Sequence, residues 1–326
     1  LLGEHQLGPD GAGAVGYGLA CMELEAGDSG IRSLVGVHGA LVMDAVRRYG
    51  STEQHQRWLP VLGTGEAVGC FALTEPDHGS DPASLVTNAR RDGGDWRITG
   101  VKTWITNAPD ADLAVIWARA EGQIRGFLVE LTAPGVTVNE IRDKLSLRAA
   151  STGEIVLDRV RVPAGALLDG AVGLRAALVC LNRARYGIVW GSLGAASDCL
   201  HTALDYAAGR HQFGRPIAGF QLTQAKLADA AVELQKGYLL ALHLGRRAEA
   251  GTLTPAQVSV GKLNNVREAL AIARQCRTIL AANGIVGRYP VLRHAANLES
   301  VLTYEGTSEI HQLVIGQALT GISALS

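Results

Sequence analysis

Residues 70–81 read Cys-Phe-Ala-Leu-Thr-Glu-Pro-Asp-His-Gly-Ser-Asp. The apolar beginning predicts a buried strand, and the strand leads into a loop that contains Thr74, Gly79 and Ser80. A loop of this composition can direct backbone N–H groups and hydroxyls at an anion or at the polar edge of a ring. We therefore expect a β unit with a binding loop at the end of this strand.

Strand-like sequence continues on both sides of the loop, from about Glu66 to Pro163. It consists of runs of β-branched and aromatic residues separated by turn residues. Gly93-Gly94 joins two of the runs and is typical of a hairpin. The predicted strands are Ala67–Leu73, Ser84–Arg90, Trp96–Ile105, Leu113–Ala118, Gly126–Leu131 and Glu154–Val162. The region is predicted to form a compact all-β unit.

Apolar residues at helical spacing flank the β unit at both ends. Val35, Val42 and Val46 indicate short helices up to about residue 65. Long helices are predicted at Gly173–Ala208, Leu222–Ala250 and Pro255–Leu280, with Gly and Pro between them at His211–Pro216 and Asn283–Pro290. We predict three domains: helices at 1–65, a β domain at 66–165 and a helical bundle at 166–326.

The composition is that of an ordinary globular protein and argues against two kinds of partner. Of the 326 residues, 47% are hydrophobic, and 30 basic against 31 acidic side chains leave a formal charge of −1. So small a charge provides no field for nucleic acid. Uncharged stretches such as Tyr186–Ser197, with 12 residues, are shorter than the roughly 18 that a membrane-spanning helix needs. We expect neither nucleic-acid binding nor membrane insertion.

The five cysteines are widely scattered and form no CxxC pair. This pattern argues against a zinc knuckle and against a disulfide framework, and it favours a reducing compartment. The chain has no initiator Met, and its first residues lack the basic head and apolar core of a signal peptide. We predict no metal site and a cytoplasmic location of the bacterial type, or the mitochondrial matrix for a eukaryotic chain.

A Gly-x-Gly-x-x-Gly pattern at Gly11, Gly13 and Gly16 is typical of dinucleotide-binding folds. Such a site needs a buried strand before the glycines and an acidic residue about 20 positions later. Residues 3–9 are not strand-like, and no Asp or Glu occurs from Ser29 to Met43, so a turn leading into a helix is the better interpretation. The nine histidines show no HExxH spacing and no serine lies in a GxSxG elbow, which leaves metalloenzymes and hydrolases without a motif.

In two further segments, an aromatic or a potentially reactive side chain lies at the end of a predicted strand or helix. One strand ends in Trp104-Ile105-Thr106-Asn107, which pairs an aromatic ring with a hydroxyl. Near the C-terminus, an amphipathic helix runs into Tyr304-Glu305-Gly306-Thr307-Ser308, and a second helix follows. Gly306 is expected to end the first helix and Thr307 to cap the second.

Together, these three segments resemble the acyl-CoA dehydrogenase family. The resemblance extends from about Gly8 to Ile322, and three stretches, Asp28–Ser33, Ala184–Gly191 and Thr303–Thr307, are similar to its glutaryl-CoA dehydrogenase branch in particular. It implies an α+β fold in which truncated N-terminal helices precede a β-barrel-like middle domain and a C-terminal four-helix bundle.

The resemblance implies that Glu305 is the catalytic base. In this family the glutamate of the Tyr-Glu-Gly-Thr motif removes the α-proton of a fatty acyl thioester. That proton is weakly acidic, so the base must be desolvated and within hydrogen-bond reach, with fixed donors to the enolate oxygen. An isolated Glu-Gly pair would more simply be a solvated helix break, but the two other motifs favour catalysis.

The resemblance also implies that FAD lies between the β domain and the bundle and accepts the β-hydride at N5. Thr74 and Ser80 are expected to bind it by their side chains, with Trp104 and Thr106 beside its ring. The expected flavin-binding residues are Phe71, Leu73, Thr74, Ser80, Trp104, Ile105, Thr106, Arg210, Phe213, Gln221, Thr278, Ala282, Thr307 and Glu309. Since Arg210, Phe213 and Gln221 would reach the ADP half from a neighbouring subunit, we expect a homotetramer. Taken alone, Arg210–Pro216 would more simply be a helix stop, because Gly and Pro end helices routinely.

Arg32 determines the expected substrate class. A pocket for saturated straight-chain substrates has no use for a buried guanidinium, whereas a bidentate Arg–carboxylate pair fixes the orientation of a carboxylated one. In the glutaryl-CoA branch an Arg-Ser pair, matched here by Arg32-Ser33, binds the distal carboxylate, and Glu25 and Tyr304 match its neighbours. The other substrate-binding residues implied are Ser80, Asn182, Arg185 and Gly306. An arginine on a polar helix turn is otherwise most often solvated.

The sequence departs from the family pattern at three places. Ala281-Ala282 stand where the family usually has Gly-Gly before Asn283-Gly284, and two methyl groups would crowd the adenosine half of the flavin. Ile31 replaces the tyrosine that usually precedes the Arg-Ser pair. The start lacks roughly sixty residues of the family's N-terminal helices, so part of the wall over the active site is expected to be absent or cut away.

The sequence thus predicts an FAD-dependent acyl-CoA dehydrogenase that oxidises glutaryl-CoA, with subsequent loss of carbon dioxide to give crotonyl-CoA. Electron-transferring flavoprotein is the expected electron acceptor. Two alternatives remain open at this point. One is a dehydrogenase of another short acyl thioester, on CoA or on an acyl carrier protein in a biosynthetic pathway, and the other is an inactive relative that serves as a binding subunit.

Overall fold

The sheet predicted around residue 70 is present in the structure, a computed structural model in which residues 13–324 are described. These residues divide into two units. The first consists of Ser33–Lys144 and Ala150–Ala184, and the second of residues 13–32, Leu145–Ala149 and residues 185–324. The outer ends of the predicted domains at 1–65 and 166–326, and Gly11 of the glycine pattern, lie outside the described residues.

The first unit is built on a sheet of eight strands. The strands are β1 (Gly69–Ala72), β2 (Asn88–Asp92), β3 (Asp95–Thr106), β4 (Leu113–Ala120), β5 (Gln123–Glu130), β6 (Val136–Glu140), β7 (Thr152–Val162) and β8 (Leu167–Val172). Their order is β6-β7-β3-β2-β4-β5-β8, and β1 pairs with β4 in parallel. The predicted hairpin at Gly93-Gly94 is confirmed, because Asp92 pairs with Asp95 across it.

The apolar run of β4 is explained by burial on both faces of the sheet. Successive side chains of a strand point in opposite directions. Val115 and Trp117 therefore belong to the core shared with the helices, while Ile116 and Ala118 belong to the core under the other face. All four side chains are fully buried.

The predicted strand Ser84–Arg90 is wrong in its first half, because the strand begins only at Asn88. Pro82–Ser84 form a short 3-10 turn instead. The N–H groups of Val86 and Thr87 donate to the carboxylate of Glu75, at 2.6 and 2.9 Å, so they are not available to a strand. Sequence analysis also missed β6 and β8, which are short and largely polar or exposed on one face.

Helices pack on one face of the first unit's sheet. They are a π-helical stretch Val37–Met43, α3 (Asp44–Tyr49) and α4 (Thr52–Thr64), and they follow α2 (Ser29–Gly36), which begins in the second unit. Ser51 and Gln54 form a capping box at the start of α4. The buried side chains of Val42, Val46 and Leu62 join the core under this face.

The second unit is helical. Its helices are α1 (Gly13–Gly27), α5 (Leu174–Gly209, from residue 185 onward), α6 (Gln221–Glu249), α7 (Pro255–Ile279), α8 (Val291–Thr303) and α9 (Ser308–Thr320). The three long helices begin and end within one residue of their predicted bounds, and a hairpin of β9 (His211–Gln212) and β10 (Arg215–Pro216) follows α5. None of the helices formed by residues 13–324 combines the length and the apolar character needed to cross a bilayer.

Candidate active site

The turn between α8 and α9 holds Glu305 in a backbone conformation that few residues adopt. Glu305 has φ 52° and Gly306 has φ 104°, both in the left-handed region. A Cβ on residue 306 would lie 3.1 Å from Nε2 of His311, so the turn requires glycine there. The Thr307 side chain caps α9 by accepting a backbone N–H at 3.3 Å, and the predicted helix break and cap are therefore confirmed.

The carboxyl group of Glu305 has the electrostatics of a base. Burial raises its pKa above the ordinary value, and the cations Arg32, Lys262 and Arg185 oppose that rise. Within the part of the chain that is described, Oε2 is buried and has no hydrogen-bond partner. A carboxylate with a raised pKa and an unused buried lone pair is suited to accept a proton from a bound molecule.

Two cationic side chains hold the backbone of this turn. Nε of Arg185 donates to the carbonyl of Glu305 at 2.6 Å, and Nζ of Lys262 donates to the carbonyls of Tyr304 and Gly306, both at 2.6 Å. Sequence analysis predicted Arg185 for this site but missed Lys262. The available signal was helical register, since Lys262 lies four residues from the buried Val258 and Val266 on either side.

Arg32 is buried, with 2% of its surface exposed, and two side chains fix its guanidinium. Its Nε donates to Oε2 of Glu25 at 2.6 Å, and its Nη2 donates to the hydroxyl of Tyr304. Gly191 of α5 makes room for the pair, because a Cβ there would overlap the Glu25 carboxylate. The structure thus brings together six of the predicted residues: Glu25, Arg32, Arg185, Tyr304, Glu305 and Gly306.

The remaining residues predicted to bind substrate lie in the first unit. Ser33 is buried, Asn182 is partly buried and Ser80 is exposed on the loop after β1. Their role stays a prediction.

Among the residues predicted to hold a flavin ring in the first unit, Trp104 has a strained backbone. Trp104 is 62% exposed and has φ 58°, and the β3–β7 register shifts between Lys102 and Ile105. The Thr103 N–H donates to the Thr74 carbonyl at 3.0 Å, which ties this segment to the end of β1. Phe71, Leu73 and Ile105 are buried and Thr106 is partly buried. A bulge that presents a bare indole is a feature expected of a binding surface rather than of a core strand.

A buried ion pair fixes the loop beside Trp104. Lys102 donates to Oε1 of Glu75 at 2.8 Å and to the Leu73 carbonyl at 3.0 Å. Burial raises the pKa of Glu75, but hydrogen bonds from Lys102, Thr87 and Val86 outweigh it and lower the pKa to about 2. The pair was not predicted from the sequence, because Glu75 lies in a loop that reads as solvated.

The predicted flavin residues of the second unit are almost all at its surface. Phe213, at the tip of the β9–β10 hairpin, is 94% exposed and has φ 51°. Arg210, Gln221, Thr278, Ala282 and Glu309 are also exposed, and Thr307 is partly buried. The hydroxyl of Thr307 caps α9, so in this chain it has a structural partner already. An exposed phenylalanine at a hairpin tip is a typical contact residue for another molecule.

Comparison with protein families identifies the fold. The acyl-CoA dehydrogenase N-terminal domain matches residues 4–66, the middle domain matches 70–160, and the C-terminal domain matches 171–320. Human mitochondrial short-chain specific acyl-CoA dehydrogenase is 34% identical over 317 residues, which are 95% of this chain and 77% of the human protein. The chain belongs to the acyl-CoA dehydrogenase family. The predicted resemblance and the α+β class of fold are therefore confirmed.

Solved structures of other family members agree with this assignment. Glutaryl-CoA dehydrogenase from Mycobacterium smegmatis is 64% identical, with a TM-score of 0.95 over 96% of this chain and 81% of that one. A glutaryl-CoA dehydrogenase from the same organism, in complex with FADH2, is 60% identical, with a TM-score of 0.96 over 97% and 82%. Butyryl-CoA dehydrogenase from Megasphaera elsdenii is 29% identical, with a TM-score of 0.91 over 96% and 83%.

The departure from the family's Gly-Gly pattern has a local structural consequence. Ala281 adopts φ 49°, in the left-handed region where a Cβ is crowded, while Ala282 does not share this conformation. Both residues are exposed. The backbone at position 281 therefore keeps a conformation that favours glycine, although the sequence has alanine there. Ile31, the other substituted position, is 44% exposed.

We expect Ala281→Gly to stabilise the second unit. Relief of a left-handed alanine returns about 1–2 kcal/mol, and the greater freedom of glycine in the unfolded chain costs about 0.5–1 kcal/mol. The net gain in the free energy of unfolding is about 0.5–1 kcal/mol, measured by urea unfolding. Ala282→Gly is the matched control and is expected to lose stability. Equal losses in both variants would contradict the strain at position 281.

Proposed function

We propose that this family member is an FAD-dependent dehydrogenase of a short carboxylated acyl thioester, with glutaryl-CoA as its substrate. The observation that carries the proposal is the buried guanidinium of Arg32, bonded to Tyr304, the residue directly before Glu305. The similarity to glutaryl-CoA dehydrogenase from Mycobacterium smegmatis at 64% identity supports the same substrate.

The guanidinium of Arg32 has capacity for a carboxylate ligand. An arginine side chain carries five N–H donors. Among the described residues it uses two of them, one on Glu25 and one on Tyr304. A distal carboxylate that accepts from the others would form a charge-assisted pair of fixed geometry. Burying the guanidinium without such a ligand would leave those donors unpaired at a cost.

Glu305 supplies the proton transfer of the reaction. Its Oε2 accepts the α-proton of the thioester, and the raised pKa of the carboxyl makes it a stronger base than an exposed glutamate. Arg32 orients the acyl chain by its far end, so the α-carbon meets the base in a defined position. FAD, when bound, accepts the β-hydride of the acyl chain.

The residues in the chain fit a flavin. Trp104 offers a bare indole face in a strained backbone, and Gly79 of the neighbouring loop has open space where a Cβ would be. Exposed Phe213 and Arg210 offer an aromatic ring and a cation of the kind that bind a nucleotide diphosphate. The FADH2 complex of the 60% identical relative supports the same cofactor here.

Carbon dioxide loss would follow oxidation in the same pocket. In a glutaconyl thioester the bond to the distal carboxyl breaks, and its electron pair passes through the new double bond toward the thioester. Glu305, protonated in the first step, is then able to return a proton to the γ-carbon, which gives crotonyl-CoA. An inactive binding subunit would have no need of a base and a guanidinium buried together, so we favour the enzyme.

Electron-transferring flavoprotein and a homotetramer are the partners that we propose. A 29% identical chain occurs in a structure of the electron transferring flavoprotein of Acidaminococcus fermentans, which supports the first. The 94% exposure of Phe213 supports the second, because such a ring is expected to be covered in an assembly. A mitochondrial matrix or bacterial cytoplasm agrees with the human and Bacillus subtilis relatives.

Anaerobic titration of the flavoprotein tests the proposed function. We expect glutaryl-CoA to bleach the flavin absorbance at lower concentration than butyryl-CoA, and mass spectrometry to detect crotonyl-CoA with release of carbon dioxide. The same titration with the acyl chain on an acyl carrier protein tests the carrier. Bleaching by butyryl-CoA at equal or lower concentration would contradict the carboxylated substrate, and a colourless purified protein would contradict the dehydrogenase.

A further inference from the structure

Lys262 clamps the backbone on both sides of Glu305. It lies on α7 with 2% of its surface exposed. Its Nζ donates to the carbonyl of Tyr304 and to the carbonyl of Gly306, each at 2.6 Å. These are the residues directly before and after the proposed base, so one ammonium group spans the whole turn.

The clamped turn has a conformation that needs external support. A non-glycine residue in the left-handed region is disfavoured, and Glu305 has φ 52°. The carbonyls of Tyr304, Glu305 and Gly306 lie in the turn between α8 and α9, outside the hydrogen-bond ladder of either helix, and require other donors. With Arg185 on the carbonyl of Glu305, all three successive carbonyls of the turn accept from cationic side chains.

The charge of Lys262 also acts on the carboxyl of Glu305. Burial lowers the pKa of Lys262, and the proximity of Glu305 opposes that fall. In the other direction, Lys262 is one of the cations that hold down the pKa of Glu305 against burial. Removing Lys262 would favour the neutral form of the Glu305 carboxyl. A protonated carboxyl cannot act as a base.

We propose that Lys262 is a positioning residue for the proposed base, because it holds the backbone on both sides of Glu305 through two carbonyls. The inference rests on the proposed role of Glu305. Lys262 itself contacts the turn's backbone and exchanges no proton with the substrate. Its loss therefore acts on the chemical step rather than on substrate affinity.

Lys262→Met tests this role in the flavin-loaded enzyme. We expect kcat for glutaryl-CoA to fall about 10²-fold, the loss typical of a misplaced reacting group, while KM changes by less than about threefold. The acidic limb of the kcat–pH profile is expected to move to higher pH, because the base must ionise without its neighbouring cation. The other titratable groups near Lys262 and this carboxyl, among the described residues, are Tyr17 of α1, Arg32 of α2, Arg185 of α5, Tyr304 and His311 of α9.

Ser259→Ala is the matched control on the same helix. Ser259 is buried one turn before Lys262 and contacts Nδ1 of His311 at 3.0 Å, not the turn itself. We expect it to lower the thermal unfolding midpoint without moving the acidic limb. A limb that stays at its wild-type pH in Lys262→Met, or that moves equally in Ser259→Ala, would overturn the proposal.

Two further variants separate the possible causes of a loss. Lys262→Gln keeps an N–H donor and removes the charge. It replaces Lys262→Met in the experiment if that variant does not bind flavin. The acidic limb of its kcat–pH profile is expected to shift to higher pH as well. The double variant Lys262→Met/Glu305→Gln is expected to be scarcely slower than Glu305→Gln alone, whereas a purely structural lysine would multiply the losses. If Glu305→Gln alone keeps its rate, the proposed function fails, whatever Lys262→Met shows.

Discussion

Glu305→Gln is expected to bind FAD and fold normally while it loses the reductive half-reaction almost completely. Removal of a positioned general base typically costs at least about 10²–10⁴-fold in rate. Stopped-flow bleaching of the flavin by glutaryl-CoA measures this loss directly. Glutamine keeps the size of the side chain but accepts no proton, so binding should persist while the chemistry stops.

The pH dependence of stability provides a second test of Glu305 as the base. Burial raises the pKa of Glu305 in the folded protein, so the ionised carboxylate costs stability, and this cost grows as the pH rises past the carboxyl's unfolded pKa. Glu305→Gln removes the charge, and we expect its free energy of unfolding at pH 8 to be equal to or above that of the wild type. Activity should therefore fall while the free energy of unfolding is kept or rises.

Glu299→Gln is the matched control for this substitution. Glu299 lies on α8, pairs with Arg274 at the surface, and is more than half exposed. The variant is expected to bleach at the wild-type rate. Bleaching of Glu305→Gln at that same rate would remove Glu305 as the base, and with it the mechanism proposed above.

The sequence predicted the turn around Glu305 well because its signals are local. A glycine that ends one helix and a threonine that caps the next act within a few residues. The backbone strain at Trp104 was not predictable, because the bulge in β3 arises from pairing with β7, about fifty residues away along the chain. Residues 84–87 resemble a strand in sequence, but the backbone N–H groups of Val86 and Thr87 donate to the carboxylate of Glu75 instead of to a neighbouring strand.

The charged residues of the site also differ in how far the sequence predicts them. Arg32 was identified as a candidate by resemblance, but its partner Tyr304 is 272 residues away, so no local pattern could join them. Lys262 was missed because a lysine within a long helix is normally solvated, and only its register with buried neighbours marks it. Long-range contacts decide which charges of a sequence are buried, and therefore which of them are functional.

Arg32→Met is expected to discriminate between charged and neutral acyl chains. Loss of a charge-assisted bond to the distal carboxylate should lower kcat/KM for glutaryl-CoA by about 2–4 kcal/mol, or roughly 30- to 1,000-fold. Butyryl-CoA, which ends in a methyl group, should lose less than glutaryl-CoA, because it forms no bond to the guanidinium and no longer faces an unpaired buried cation.

The buried pair of Glu25 and Arg32 requires that both residues be replaced together. Glu25 is fully buried and pairs with Arg32, so Arg32→Met alone would leave a buried carboxylate without its partner and destabilise the protein by about 3–5 kcal/mol. The variant to compare is therefore Glu25→Gln/Arg32→Met, with Glu25→Gln as its control. The neutral pair keeps the shape of the pocket wall.

The ratio of kcat/KM for glutaryl-CoA to that for butyryl-CoA, measured with one artificial electron acceptor, is the quantity that isolates recognition of the carboxylate. Arg32 also holds down the pKa of Glu305, so its removal weakens the base toward both substrates equally. That common loss cancels in the ratio. A ratio that falls at least about 30-fold between Glu25→Gln and the double variant assigns the distal carboxylate to Arg32. An unchanged ratio would mean that Arg32 serves the base and the fold alone, and the carboxylated substrate would then have no recognised partner at this position.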